Sequence, residues 1–283
     1  MTTIDLTLVL SEQIWSDILA PLNIYTSVEG LSQSNSTIQE SLLDNIQRKR
    51  YKQPTKTVRK DIRNEEIITI EEWWLIGQRH REDDEPAGIK YREDGTIQAK
   101  AWYYLGQQHR DNAPASLGWW SNGNKSSELW FQHDQISRDP KDGPAITNWY
   151  ENGQSRTKSW INNIQGSRKS HGISWWPNGN KKQEEWWQNS QKHRMEDQAI
   201  ITYREDGIKV TEQWRQNGQK HRLEGPAIIT YREDGTKETE RWWQNDELHR
   251  DPDDGPARYT IEPDDSISLA QWWVKGQRVP QPN

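Results

Sequence analysis

The sequence WRQNGQKHRLEGPAIITYREDGTKETER, at Trp214–Arg241, is a repeat unit from which most of the chain is built. Its segment IITYREDG occurs at Ile200–Gly207 and again at Ile228–Gly235, a shift of 28 residues. Self-similarity at a fixed period of roughly 20–50 residues is typical of arrays in which each unit packs against its neighbours. The sequence therefore predicts a stacked repeat architecture.

Eight tryptophans mark the starts of the copies, which we number units 1 to 8. Successive starts are separated by 29, 28, 30, 26, 28, 28 and 30 residues. The starts are Trp73, Trp102, Trp130, Trp160, Trp186, Trp214, Trp242 and Trp272. The spacing predicts an array over residues 67–283, with about seven units and a truncated eighth.

The composition indicates an aromatic core. Only 31% of the 283 residues are hydrophobic, which is too few for a large aliphatic core. The chain nevertheless contains 18 Trp and 9 Tyr, and 17 of the Trp lie from residue 73 onward. Each large aromatic side chain can bury about 150–250 Å². Several aromatic residues in each unit can therefore replace the usual aliphatic core.

Two turn signals recur in each unit and predict β-hairpins. One is Asn-Gly or a related pair after the first Trp, as at Asn217-Gly218, and the other is Asp-Gly after a Tyr, as at Asp234-Gly235. Gly, Asn and Asp tolerate the positive φ angles of tight hairpin turns. The segments between the turns alternate and are rich in β-branched and aromatic residues. We therefore expect two strands per unit in an antiparallel meander.

Doubled tryptophans, such as Trp186 and Trp187, predict aromatic side chains on both faces of the sheet, because neighbours on a strand point in opposite directions. Either a single twisted layer or a solenoid with a narrow core satisfies this pattern. We favour a mainly β fold with an elongated, single-layer antiparallel sheet, roughly 70 Å long at two strands per unit. The predicted aromatic ribbon comprises Trp73, Trp74, Trp102, Trp119, Trp120, Trp149, Trp175, Trp176, Trp186, Trp187, Trp214, Trp242, Trp243, Trp272 and Trp273.

The organisation of residues 67–283 resembles MORN-type repeats, which are hairpin units that form one elongated sheet. The resemblance rests on Trp214 with Asn217-Gly218, on Tyr231 with Asp234-Gly235, and on their copies. The units here are longer than those of the family, and they have His-Arg where the family has Gly after the His. The resemblance therefore implies a MORN-like variant, and the lipid binding discussed for that family is not carried over.

Residues 1–50 do not fit the repeat and predict a small α-helical module, with Ser11 and Ser36 as helix caps. The segment from Leu10 to Ser34 resembles an F-box, which implies a partner-binding surface for the adaptor of a cullin–RING ubiquitin ligase. The alternative is a helical cap on the first repeat. The matching residues expected to bind the adaptor are Leu10, Ile14, Trp15, Ile18, Leu19 and Leu22.

Residues 51–66 predict a basic linker, since Arg48–Lys60 contains seven basic residues. This segment is either a nuclear-localisation or nucleic-acid patch, or a solvated linker that offsets the acidic array. We favour the linker, because no aromatic platform accompanies the basic residues. From residue 61 onward the chain has 30 basic and 37 acidic residues, a net charge of −7, which disfavours nucleic-acid binding by the array.

Five His-Arg pairs recur at one register, and Arg138 and Arg168 take the Arg position in the other two units. Equivalent residues should lie roughly 10 Å apart, which is too far for shared zinc ligands at about 2 Å. We therefore expect no metal or cofactor. We favour a structural role in which Arg stacks on Trp or pairs with acids such as Glu205 or Asp206, over a row of donors for an extended anionic ligand. The pairs are His80-Arg81, His109-Arg110, His193-Arg194, His221-Arg222 and His249-Arg250.

The sequence lacks a phosphate-binding loop and a nucleophile motif, and its acidic residues repeat with the unit, so we expect a non-enzymatic protein. The leading hypothesis is an intracellular protein–protein interaction scaffold, cytoplasmic or nuclear, that recruits substrates if the F-box resemblance holds. F-box-like modules joined to Trp-rich repeats resemble proteins encoded by giant DNA viruses.

One alternative is a structural or assembly protein, such as a minor virion component, that self-associates through sheet edges. Another is binding of carbohydrate or choline-like ligands by Trp stacking. The sequence shows no transmembrane segment and no basic secretory signal.

Overall fold

The computed structural model describes residues 54–63, 66–164 and 166–282. Nearly all of the regular structure in these ranges is β-strand, together with one 3-10 turn at Pro252–Asp254. Within these ranges no helix is long and apolar enough to cross a membrane. The predicted helical module over residues 1–50 lies outside the described residues, as do its F-box-like positions Leu10, Ile14, Trp15, Ile18, Leu19 and Leu22.

Long strands alternate with two- or three-residue strands that form short hairpins. In chain order the strands are β1 (Thr55–Arg63), β2 (Glu66–Leu75), β3 (Gln78–Arg79), β4 (Gly88–Tyr91), β5 (Ile97–Ala101), β6 (Tyr103–Tyr104), β7 (Gln107–Gln108), β8 (Ser116–Trp119), β9 (Lys125–Leu129), β10 (Phe131–Gln132), β11 (Gln135–Ile136), β12 (Ile146–Trp149), β13 (Ser155–Ile164), β14 (Ser167–Trp175), β15 (Lys181–Gln188), β16 (Gln191–Lys192), β17 (Ile200–Tyr203), β18 (Lys209–Gln213), β19 (Arg215–Gln216), β20 (Gln219–Lys220), β21 (Ile228–Tyr231), β22 (Lys237–Arg241), β23 (Trp243–Gln244), β24 (Glu247–Leu248), β25 (Arg258–Ile261), β26 (Ile267–Val274) and β27 (Gln277–Val279).

The long strands form one large open antiparallel sheet with the topology of a meander. From one edge to the other, the strands follow the order β1, β2, β4, β5, β8, β9, β12, β13, β14, β15, β17, β18, β21, β22, β25 and β26. Each pair of neighbours is antiparallel. The prediction of a mainly β protein built from repeated hairpins in one sheet is therefore confirmed.

Two different turns close the hairpins of each unit. In unit 6 the short hairpin turns at Asn217 and Gly218, which both have positive φ, 50° and 82°. This is the geometry of a two-residue turn that matches strand twist. The long hairpin turns at Asp234 and Gly235, where φ at the Gly is 85° and the Thr236 amide donates to Asp234 Oδ1 at 2.8 Å. The register shifts beside Tyr231, as expected when the left-handed Gly forms a bulge.

The doubled tryptophans point to opposite faces, as the alternation of a strand requires. Trp187 lies opposite Lys192 in the register of β15 and β16, and the Lys192 ammonium is 4.4 Å from the centre of the Trp187 ring. The preceding Trp186 is covered instead by the guanidinium of Arg194, at 4.0 Å. Both faces therefore carry cation-covered aromatic rings, which is how a thin sheet with few aliphatic residues shields its interior.

The predicted basic linker at residues 51–66 differs from the structure, because most of it is strand β1 (Thr55–Arg63), which pairs with β2 along its whole length. Two of its basic residues form ion pairs with β2, Lys56 with Glu71 at 2.7 Å and Arg59 with Glu72 at 3.5 Å. The basic residues thus neutralise carboxylates locally. The sheet begins before the repeat pattern becomes visible in the sequence.

Candidate interaction site

Each unit except unit 4 and the truncated unit 8 has a loop fastened over its first tryptophan. In unit 6, the Trp214 amide donates to the Ala227 carbonyl at 2.8 Å, and Ala227 is completely buried. The guanidinium carbon of Arg222 lies 3.9 Å from the centre of the Trp214 ring. Nη1 of Arg222 also donates to the carbonyl of Pro226 at 3.1 Å. These contacts form a clamp that joins the loop, the indole ring and the strand.

The same clamp occurs six times. In every case the arginine lies between 3.9 and 4.1 Å from the ring centre and donates to the carbonyl of the residue before the buried alanine. The Arg–Trp stacking expected from the sequence is present in these units, whereas the acidic partners are the loop residues Asp84, Glu85 and Asp197. The clamped pairs are Arg81–Trp73, Arg110–Trp102, Arg138–Trp130, Arg194–Trp186, Arg222–Trp214 and Arg250–Trp242.

The histidines before these arginines connect successive units. In four of the five cases Nδ1 accepts a hydrogen bond from a backbone amide in the short-hairpin turn of the next unit, at 3.0–3.3 Å. His109 instead stacks on the ring of His133 at 4.2 Å. The four histidines are His80, His193, His221 and His249. Because these nitrogens serve the repeat, the structure favours the structural role over a row of ligand donors.

Buried carboxylates support the face that carries the clamps. Glu212 accepts from Lys209 at 2.6 Å and from the Tyr231 hydroxyl at 2.7 Å, and its side chain is only 6% exposed. The same trio occurs around Glu184 and Glu240. Burial, followed by the hydrogen bond to the adjacent glutamate, raises the pKa of Tyr231 well above its ordinary value. These phenols therefore remain hydrogen-bond donors at physiological pH.

Unit 4 has no clamp. Unit 6 has four residues between Arg222 and Ala227, but unit 4 has only two residues between Arg168 and the equivalent position, His171. That spacing is too short to arch over the strand. Strands β13 and β14 instead pair continuously to the turn, and Trp160 lies opposite His171 in their register. The loop of the other units is thus replaced by a straight ladder.

His171 forms an aromatic stack in place of the missing clamp. Its ring lies between Trp160, at 5.4 Å and 20°, and Trp186, at 4.6 Å and 11°. Burial lowers the pKa of His171, the charges of Arg194 and Lys181 lower it further, and Glu184 opposes them. Nε2 of His171 is buried and lacks a hydrogen-bond partner within the described structure, and the Glu184 carboxylate is 3.9 Å away. Burial therefore favours the neutral form of the ring, and Nε2 has no hydrogen-bond partner among the described residues.

A groove of about 370 Å³ lies over unit 4, where the loop would otherwise be. Pro140, on the loop of unit 3, and Met195, on the loop of unit 5, are among the residues that line it, together with Trp160, His171 and Trp186 of the stack. We call this the unit 4 groove. Indole rings border this open space, and its volume is in the range of ligand-binding clefts. A larger groove, of about 600 Å³, lies beside Trp102, where acidic loop residues line it.

Met195, which lines the groove, and Leu223, on the loop of the next unit, are exposed apolar residues. Met195 is 76% exposed and Leu223 is 70% exposed, and each directly follows the arginine of its clamp. Both line a second, smaller groove beside Trp214, of about 290 Å³. The four other clamped units have an acidic residue at this position: Glu82, Asp111, Asp139 and Asp251. Apolar residues therefore replace acidic ones only in units 5 and 6, the first two of the three clamped units after the interruption.

Met195, Leu223 and His171 were not among the residues predicted from the sequence. The 26-residue step from Trp160 to Trp186, shorter than every other step, was the available signal of a missing loop. Among the described residues no group of three or more His, Asp or Glu is arranged to hold a metal ion. No protein-family model matches the chain, and no curated protein matches its sequence at a significant level.

Proposed function

We propose that the protein is a non-enzymatic scaffold whose repeat sheet binds another protein at the unit 4 groove and at the adjoining Met195 and Leu223. The observation that carries this proposal is the local exchange of acidic for apolar residues beside an interruption of the repeat. A repeat that served only for stability would keep the acidic residue that four other units have at this exposed position.

The kinds of residue that line this surface support the assignment. Adjoining apolar patches rimmed by polar residues are typical of interaction surfaces. Trp side chains are common energetic centres of interfaces, and flexible Met side chains adapt to irregular partners. Pro140, Trp160 and Trp186 provide rigid apolar walls, and Met195 provides an adaptable one.

Affinity capture with substituted full-length protein tests the proposal. The double substitution Met195→Asp and Leu223→Asp restores the acidic residue of the other units, so we expect the fold to be retained and partner capture to be lost. Ile76→Asp is the matched control, because Ile76 is also exposed, at 64%, but lies in unit 1. Equal capture by the double variant and the wild type would contradict a contact at this surface.

The F-box resemblance extends the proposal to substrate recruitment by a ubiquitin ligase. In this role residues 1–50 bind the ligase adaptor and the sheet selects the protein to be modified. Binding of full-length protein to a purified cullin–RING adaptor is the direct measurement, and Ile14→Ala with Trp15→Ala should remove it. If the wild type does not bind the adaptor, the substrate-recruiting role is wrong and the scaffold remains.

A second candidate, self-assembly through sheet edges, is favoured by the outer edge of β26. Among the described strands, residues 267–271 pair only with β25, and Ile267 and Leu269 are 56% and 75% exposed. An unpaired edge is a template for another chain. Sedimentation over a wide concentration range should show assembly that Leu269→Lys reduces, and a monomer at every concentration would contradict it.

A further inference from the structure

The spacing of the loops defines what the unit 4 groove can hold. Neighbouring units are two strands apart, so their loops follow one another at roughly 10 Å. Because unit 4 has no arched loop, the loops of units 3 and 5 are roughly 20 Å apart. The open space therefore corresponds to one loop of the kind that six other units supply for themselves.

The charges that line the groove have one sign. Lys169 and Arg194 line it, and no carboxylate does. Arg194 is already paired with Asp197 at 2.9 Å and stacked on Trp186. Lys169 is exposed and forms no ion pair within the described part of the chain. A ligand that reaches the groove thus meets one unpaired ammonium, whereas Nε2 of His171 is buried and lies 3.9 Å from the Glu184 carboxylate.

The array's own loops complement this environment in charge and in their small apolar residues. They are acidic and most end in Pro-Ala, as in RDPDDGPA at Arg250–Ala257 and REDDEPA at Arg81–Ala87. In each of these loops the alanine is completely buried against the strand that carries the first Trp. In unit 4 His171 occupies the position of this alanine, so a segment with the same features would lay its small apolar residues over the stack of Trp160, His171 and Trp186 and bring its carboxylates to Lys169.

We propose that the unit 4 groove binds an acidic, Pro-Ala-containing loop of a partner protein, which completes the interrupted repeat in trans. This inference rests on the proposed scaffold function and names the chemistry of its partner. The carboxylates pair with Lys169, and the proline and alanine pack against Trp160 and Met195.

Titration of the full-length protein with a synthetic peptide tests the inference. The probe is RDPDDGPA, the sequence of residues 250–257, and the control peptide RNPNNGPA lacks its carboxylates. Tryptophan fluorescence and calorimetry should show saturable binding of the acidic peptide and at least tenfold weaker binding of the neutral one. Equal binding of both peptides, or binding of neither, overturns the inference.

Two variants locate the binding. Lys169→Glu should weaken the acidic peptide at least tenfold, whereas Lys275→Glu, which changes an exposed lysine on the last short hairpin, should leave it unchanged. Replacement of Lys169–His171 by LEGPA, the loop of unit 6, should fill the groove and abolish binding while the sheet stays folded by circular dichroism. Unchanged peptide binding in this loop-filled protein overturns the inference.

The experiments distinguish failure of the scaffold function from failure of the loop-in-trans inference. If Met195→Asp with Leu223→Asp loses its captured partner but no peptide binds the wild type, the scaffold stands and the loop-in-trans inference falls. If the peptide binds as described but the double variant captures partners normally, the groove is a peptide site and the wider contact surface is wrong.

Discussion

Units 4 and 6 are each built from long paired strands, and each has its first tryptophan at the same position in the repeat. They differ in how that tryptophan is covered. In unit 6 the loop from Arg222 to Ala227 is clamped onto Trp214. In unit 4 the chain continues as a ladder, and Trp160 stacks on His171. Both units therefore have a covered indole, and only the clamped unit has the loop.

The two arrangements distribute stability differently. The clamp of unit 6 combines a cation–π contact of about 0.5–2 kcal/mol with hydrogen bonds of about 0.5–1.5 kcal/mol each. Unit 4 replaces it with additional strand pairs and with ring stacking of about 0.5–1.5 kcal/mol. The interruption therefore stays folded without a loop, and the surface that the loop would cover is left for a partner.

The largest expected effect distinguishes the two tryptophans. Trp214 is 7% exposed and lies under its clamp, so Trp214→Ala should lower the free energy of unfolding by about 3–5 kcal/mol, the range for large buried aromatics. Trp160→Ala should cost less, because no loop is released with it. Denaturant titration combined with hydrogen exchange at residues of each unit measures both. Equal losses would mean that the clamp adds nothing to the burial of the ring.

The arginines provide the next comparison. Arg222→Ala removes both the stack on Trp214 and the hydrogen bond to Pro226, so we expect a loss of about 1–2 kcal/mol. Arg168 holds the same sequence position in unit 4 but is exposed, so Arg168→Ala should change stability by less than about 0.5 kcal/mol. Thermal or denaturant unfolding of the two variants measures both losses of stability. Comparable losses would show that Arg168 stabilises unit 4 by a contact other than the clamp.

The sequence predicted the repeated features well and the interruption poorly. Period-2 alternation and the turn at Asp234-Gly235 specify strands and hairpins locally, so the single sheet followed from them. The stacking of Arg222 on Trp214 was predictable because both residues recur at a fixed distance along the chain. The stacking of His171 was not predictable, because its partner Trp186 lies on the neighbouring strand and because the clamped units have alanine, not histidine, at this register position. Strand β1 was missed because its basic residues suggested a solvated linker, whereas two of them pair with carboxylates on β2.

The short-hairpin turns of units 1 and 6 give a smaller effect of opposite sign. Unit 6 uses Asn217 at φ 50°, whereas unit 1 has the β-branched Ile76 at φ 51°, a conformation that such a residue adopts with strain. Ile76→Asn should therefore raise the free energy of unfolding by about 0.5–1 kcal/mol. The control Asn217→Ile should lower it by a similar amount. No change in either variant would show that the turns of the two units tolerate the strain equally.

The smallest expected effect is a pH dependence of the unfolding free energy that arises from His171. This residue occupies the register position at which unit 6 has Ala227. Burial between two indoles lowers the pKa of His171 below the unfolded value of 6.5, with Arg194 and Lys181 adding to the shift and Glu184 opposing it. The unfolded chain therefore binds a proton at this residue more readily than the folded one. The stability that the neutral ring contributes is complete above about pH 6.5 and is lost as the pH falls below it.

The difference in unfolding free energy between the wild type and His171→Ala should shrink on acidification from pH 7.5 to pH 5. The comparison with the variant cancels the titration of the remaining histidines. A difference that stays constant or grows over this range would mean that protonated His171 is accommodated between Trp160 and Trp186 as a cation, as arginine is in the clamped units.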